Sequence, residues 1–263
     1  MLELFLLTML LGGVAGLLAG LFGLGGGVVI VPTLAWLFSA QQFPSQQIMI
    51  MAVATSLATI IVTSISSVYT HHRLGTIQWC RVFRLSPGIL LGAGIGAIIA
   101  SFITAESLRW FFISYLFYVG IRMAFQPTSE TNSNKEDKWL DYVVGNGIGL
   151  LSAILGIGGG SLTVPYLVGR QVPMKNAVAI SSACGLPIAV SGTCVYTVLG
   201  WDKVFLPDWS FGYVYLPALV GIVICSILTA PFGARLAYKL PAKKLKRYFS
   251  IVIFLIAMKM IAG

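Results

Sequence analysis

Apolar runs of about 18 or more residues, each able to cross the roughly 30 Å hydrocarbon core of a bilayer, follow one another along this chain. They fall near 2–38, 46–69, 84–103, 106–126, 139–169, 174–199, 211–233 and 245–262, leaving no stretch for a soluble domain. Only 10% of the residues are charged and the mean hydropathy is +0.91, whereas a soluble domain carries about a quarter charged residues. The chain reads as an all-α integral membrane protein. Its first run begins with Glu3 and no Lys or Arg, and is too long for the apolar core of a cleaved signal, so it is expected to be retained. Cys80, Cys184, Cys194 and Cys225 have no CxxC or metal-ligand spacing, so neither a disulfide framework, a metal nor a cofactor is expected. In such a chain the net charge of +9 points to membrane topology rather than to nucleic acid.

Two of these runs are interrupted by glycine. Residues 16–34 read "GLLAGLFGLGGGVVIVPTL" and residues 149–167 read "GLLSAILGIGGGSLTVPYL", identical at ten of nineteen positions without a gap. The match continues in order, "AVATS" at 52–56 with "AVAIS" at 177–181, then "AESLRWFFISYLFYVGIRM" from 105 with "AKKLKRYFSIVIFLIAMKM" from 242. Three collinear matches make an internal repeat of about 130 residues. The domain reading is a first membrane repeat at 1–126, a polar linker at 127–138 and a second repeat at 139–263, together one transmembrane domain.

The basic residues indicate how each half lies. If every apolar run crosses once, Lys and Arg divide evenly between the two sides. If each glycine-broken run enters, turns and leaves on the same side, all of them except Arg109, Lys203 and Lys259 fall on one side, including the linker. The positive-inside rule favours the second arrangement. The expected fold is therefore two inverted repeats of four segments. Each repeat is a glycine-broken hairpin or discontinuous helix plus three transmembrane helices. The linker 127–138 is cytoplasmic and both termini are outside.

Isolated glycines let helices approach closely, and Gly92 with Gly96 needs no other reading. Successive glycines break a helix instead: Gly23, Gly25, Gly26 and Gly27 in one half, Gly156, Gly158, Gly159 and Gly160 in the other. Pro32 and Pro165 follow five residues later, near the first turns of a new helix. Non-helical backbone must be shielded from lipid or line a polar cavity. A hairpin tip near the midplane offers backbone N–H groups and the positive end of a helix, which suits an anion. Two such tips from opposite sides would meet at one central site. A dinucleotide-binding loop fails on context, since no acidic residue lies between Glu3 and Glu106.

Hydroxyl positions follow each tip: Thr55, Ser56, Thr59 and Thr63 in one half, Ser181 and Ser182 beside Cys184 in the other, with Ser161 directly after the second run. Such hydroxyls commonly satisfy only their own helix; the matched "AVATS" and "AVAIS" favour Thr55, Ser56, Ser181 and Ser182 as site residues. Asn146 is expected to face protein. His71 and His72 read as solvated interfacial residues, the sharper alternative being a pH-sensitive element at a cavity mouth. The six tryptophans sit near segment ends, as an interfacial belt would. All eight carboxylates lie in loops or at segment ends, so no buried acid offers a proton or sodium relay, and the core favours anions. No paired acids, HExxH or GxSxG suggest an enzyme.

The doubled glycine motif with its following "AVATS" or "AVAIS" resembles the TauE/SafE sulfite-exporter-like family across essentially the whole chain. These are membrane permeases associated with sulfite, sulfoacetate, thiosulfate and related organosulfur anions. The resemblance implies that the glycine runs and the following Ser/Thr positions form the substrate region. It also makes Cys184 a candidate contact for a sulfur-containing substrate. The expected function is export of a small anion by alternating exposure of a midplane site in the cytoplasmic membrane. The alternatives are a passive anion channel and a non-transporting assembly protein. The expected partners are the anion, the lipid bilayer and, as one oligomeric option, a second copy of the chain as a homodimer; nucleic acid is not among them.

Overall fold

The computed structural model describes residues 2–22, 25–125, 138–203 and 206–239, together with 254, 255, 257, 258 and 260. Gly23, most of the linker and most of the last apolar run lie outside these residues.

The glycine runs split their apolar stretches in two. Helix α1 (Leu2–Phe22) stops before the first run and α2 (Gly27–Ala40) starts from it; α6 (Lys138–Leu155) and α7 (Gly160–Gly169) repeat this in the second half. The residues that start α2 and α7, Gly26 and Gly159, both have left-handed φ, 78° and 72°. Non-glycine residues enter this region at a cost of about 1–2 kcal/mol, so glycine places the break. The chain then turns back along the helix it has left. A Cβ on Gly26 would stand 2.8 Å from the Ala15 carbonyl oxygen, and one on Gly159 3.3 Å from the Ser152 hydroxyl. Pro32 and Pro165 lie in the second turns of α2 and α7, one turn deeper than expected. Each removes the N–H that would bond four residues back, to the Val28 or Ser161 carbonyl.

Four further helices are α3 (Ser45–Arg73), α4 (Trp79–Phe102), α5 (Ala105–Phe125) and α8 (Met174–Gly200), and α9 (Leu216–Lys239) closes the described order. α3, α4, α8 and the 216–236 part of α9 are long and apolar enough to cross a membrane. The 211–233 run was expected to be one helical crossing. Its first residues instead form a small antiparallel hairpin, β1 (Ser210–Phe211) and β2 (Val214–Tyr215). Gly212 (φ 57°) turns it, and a Cβ there would overlap the Thr197 backbone of α8.

Helix packing pairs the halves crosswise. α1 lies along α9, and α4 lies along α6. In the first seam Gly12, Gly16 and Gly20 meet the backbones of Ile222, Ser226 and Ala230; in the second Gly88, Gly92 and Gly96 meet those of Tyr142, Asn146 and Leu150. Residue numbers rise together in both seams, so each pair is parallel. Glycine every fourth residue removes side chains from one face, which lets backbones approach where lipid supplies no hydrophobic drive for association.

At the centre α3 crosses α8, its counterpart in the repeat. Leu57 packs on Gly192, the Ser64 hydroxyl approaches Gly185, and Ser67 donates to Ser182 at 3.3 Å. As one number rises the other falls, so the equivalent helices run antiparallel. Residues 51–57 and 59–60 of α3 are wholly buried, which makes this pair the core of the bundle. Trp36, Trp79, Trp110, Trp139, Trp201 and Trp209 are all exposed, as interfacial side chains would be.

Candidate functional site

The two glycine turns touch. A Cβ on Gly27 would overlap the Gly156 carbonyl oxygen, and one on Gly25 would stand 3.2 Å from the Gly158 Cα. Gly25, Gly26 and Gly27 of the first turn and residues 156–160 of the second are buried and wedged into the α3–α8 crossing, Gly25 against Ile60 and Gly156 against Val53. Two helix N-termini, those of α2 and α7, are thereby brought together in the interior.

Their backbone groups are unequally satisfied. At the end of α6, Gly156 N donates to the Ala153 carbonyl at 3.4 Å and Ile157 N to the Ser152 carbonyl at 3.0 Å. Ser56 of α3 reaches across and donates to the Gly156 carbonyl at 2.7 Å. The carbonyl end of the break is thus occupied by the chain itself. At the amide end, Leu162 N and Thr163 N return to the Gly159 carbonyl, while the amides of Gly160 and Ser161 have no acceptor within the helix.

The hydroxyls expected at the site have distinct surroundings. Ser56 bonds the second glycine turn as described. Thr55 accepts the Tyr215 backbone N–H at 3.0 Å, pinning the β-hairpin to α3. Ser182 donates to the Val178 carbonyl at 3.0 Å and accepts from Ser67, and Ser181 is buried beside it. Thr59 and Thr63 bond back to their own helix, at Ser56 and Ile60. Ser161 in the first turn of α7 shares a short hydrogen bond with the Tyr115 hydroxyl of α5. Cys184 is fully buried in α8, one residue from Gly185, which faces Gly158. Asn146 meets α4 through its backbone, against Gly92.

Because Thr55 holds a buried N–H, Thr55→Val is expected to destabilise the protein by about 1–3 kcal/mol and Thr55→Ser by much less. Thermal unfolding in detergent measures both, and equal midpoints for Thr55→Val and wild type would remove this role.

His71 departs from expectation: it is 4% exposed, with Gly20 of α1 against it, Thr76 beside its Nδ1 at 3.4 Å and its Nε2 without a partner. His72 is the exposed one, paired with Trp79.

Sequence reasoning did not single out three site features. Tyr115 carries no signal within its apolar run. Ser152 and Thr163 are fully buried hydroxyls without a hydrogen-bond partner, flanking the second glycine turn. They stand where the aligned first half has Ala19 and Ile30, so comparing the halves for polar-for-apolar exchanges would have found them.

A cavity of about 540 Å³ opens among α2, the start of α3 and the start of α5, lined by Pro32, Trp36, Ser45, Glu106, Arg109 and Trp110 among others. Along α2 it comes no nearer to the first glycine turn than Pro32, five residues beyond Gly27. On the corresponding side of the second half Asp141, expected to be unburied at a segment end, is buried near the start of α6, because it accepts from the Tyr166 hydroxyl at 2.5 Å and pairs with Arg170 at 3.5 Å. No cluster of metal-binding side chains occurs among the described residues.

Several long apolar spans and paired helix breaks meeting at the centre make this a polytopic helical membrane protein, with the architecture that two-repeat membrane transporters share. More particularly, the chain belongs to the sulfite exporter TauE/SafE family, which matches residues 8–260. It is 38% identical to a probable membrane transporter protein of Haemophilus influenzae over 99% of both chains. A second of Methanocaldococcus jannaschii is 28% identical over 94% of this chain and 91% of the relative. The probable membrane transporter protein YunE of Bacillus subtilis is 26% identical over 98% and 97%. No solved structure matches the chain.

Proposed function

We propose that the protein exports a small anion, sulfite or an organosulfonate such as sulfoacetate, across the cytoplasmic membrane by alternating exposure of a site at the glycine turns. The abutment of the two turns, Gly27 on Gly156 and Gly25 on Gly158, carries this reading. It puts helix N-termini, the usual backbone device for anions, where a transporter of two inverted repeats needs its site. The antiparallel crossing of α3 and α8 supports inversion, since equivalent helices of inverted repeats run in opposite directions. In this orientation both termini face outside and the 127–138 linker faces the cytoplasm. The cavity at Arg109 is then the outward approach, and the Tyr166, Asp141 and Arg170 cluster closes the inward one.

Reconstituted in liposomes, the protein is expected to exchange internal for external sulfite or sulfonate at carrier rates and to show trans-stimulation. Large currents without counterflow would identify a channel instead. Absence of flux and binding for every member of a panel of sulfite, thiosulfate, sulfoacetate, sulfate and the zwitterionic sulfonate taurine would overturn the proposal.

A further inference from the structure

We infer that the anion is held off the pseudo-twofold axis, at the N-terminus of α7 by Ser152 and Thr163, and that this site accepts one negative charge and not two. The inference rests on reading the chain as an anion transporter.

Both hydroxyls are fully buried and unpartnered. That is not the default for hydroxyls in this bundle: Thr33, Ser86 and Thr59 donate to backbone carbonyls of their own helices at 2.8, 2.7 and 2.7 Å. A buried hydroxyl without a partner carries a desolvation penalty that a ligand can remove. The Ser152 oxygen is 3.3 Å from where a Cβ would stand on Gly159, the left-handed residue that starts α7. Thr163 lies in the first turn of the same helix, three residues after Gly160 and two after Ser161. The group is rich in donors, and the nearby carbonyl end of α6 is already occupied by Gly156 N, Ile157 N and Ser56. Donors without acceptors call for an acceptor, which an oxyanion is.

The mirror position cannot do the same. Where the second half has Ser152, Ser161 and Thr163, the first has Ala19, Val28 and Ile30, all buried. The backbone breaks twice, but only one break carries hydroxyls.

The charge limit follows from what surrounds the site. A helix N-terminus supplies about half a unit of positive charge. Of the described buried side chains, the acidic and basic ones are His71 and Asp141; the half-buried Arg109 lies six residues, about 9 Å along α5, from the Tyr115 that bonds Ser161, and its guanidinium donates to the Met260 carbonyl. Asp141 is eleven residues before Ser152, about 16 Å along α6. His71 is eleven residues past Ile60, the α3 residue on the first glycine turn, about 16 Å along α3. A singly charged oxyanion is matched here, whereas a second charge would be buried without a counter-charge. The site therefore suits a singly charged sulfonate or hydrogensulfite and disfavours sulfate, doubly charged sulfite and, among the proposed substrates, sulfoacetate, whose carboxylate adds a second charge to its sulfonate.

The test uses full-length protein in nanodiscs, with thermal unfolding followed against methanesulfonate and sulfate concentration and flux of both followed in liposomes. Methanesulfonate is expected to stabilise wild type and sulfate is not. Ser152→Ala and Thr163→Val should each weaken methanesulfonate binding about tenfold, Thr163→Ser should retain it, and Ile30→Val in the other half should leave it unchanged. Without ligand, Thr163→Val should unfold no lower than wild type, because it removes an unsatisfied hydroxyl; a lower midpoint would show a structural partner and overturn the assignment. So would equal stabilisation by sulfate, or wild-type affinity in both variants. Wild type that neither binds nor carries methanesulfonate would overturn this site while leaving the transporter reading to the panel above, and wild type that carries methanesulfonate with unaffected variants would likewise remove only this site.

Discussion

Gly156→Ala is expected to leave little transport-competent protein. The residue sits at φ 68°, and a Cβ there would stand 2.9 Å from the Val53 Cα and 2.9 Å from a Val31 methyl. The left-handed backbone costs a non-glycine residue about 1–2 kcal/mol, and forcing a methyl into close-packed backbone costs about 1–3 kcal/mol more. Together these are a large part of the roughly 5–15 kcal/mol that holds a protein folded. They also fall where Ser56 fixes the second turn, so the geometry of the α7 N-terminus suffers with the fold. The comparison is Gly147→Ala on α6, exposed and without a neighbour within 4 Å, which should be neutral or stabilising by up to about 1 kcal/mol. Thermal midpoint in detergent and flux in liposomes measure both. Wild-type flux from Gly156→Ala would show that the turns need not touch.

Gly92→Ala is the second large effect, and it separates packing from conformation because Gly92 is ordinary helix. Its Cβ would overlap the Asn146 carbonyl oxygen, so α4 and α6 must part. Gly94, two residues on, would place its Cβ 3.4 Å from the Ser191 hydroxyl, an ordinary contact. Gly92→Ala is expected to cost about 1–3 kcal/mol and Gly94→Ala to stay within about 0.5 kcal/mol of wild type. Identical midpoints for the two variants would mean that the seam is not close-packed.

How much of this was legible in the sequence can be judged residue by residue. The breaks at Gly25 to Gly27 and Gly156 to Gly160 were readable because successive glycines conflict with an apolar helix whatever surrounds them. The role of Gly92 and Gly96 was readable because four-residue spacing puts small residues on one helix face. The hairpin at 210–215 was not, since hydropathy does not distinguish apolar residues in a helix from apolar residues folded into a buried turn. The partner of Thr55 depends on that hairpin and was hidden with it. His71 resembled its neighbour His72, and only the arrival of α1 at Gly20 separates the buried ring from the exposed one. The alignment of the halves drew attention to what they share, whereas Ser152 and Thr163 are where they differ.

The two glycine seams set the order in which the molecule can be assembled. The face of α1 bearing Gly12, Gly16 and Gly20 has its partner in α9, nearly the whole chain away. At ribosomal speeds of about 5–20 residues per second, the interval between the two is about 10–40 s. During that time the small-residue face of α1 stands in lipid or against the insertion machinery, and α4 likewise awaits α6. Neither half can complete its own packing, because the first helix of each is bound by the fourth of the other. The α4–α6 seam can therefore close first and the α1–α9 seam only last, and a nascent chain cut before residue 216 holds the glycine face of α1 without the helix that covers it.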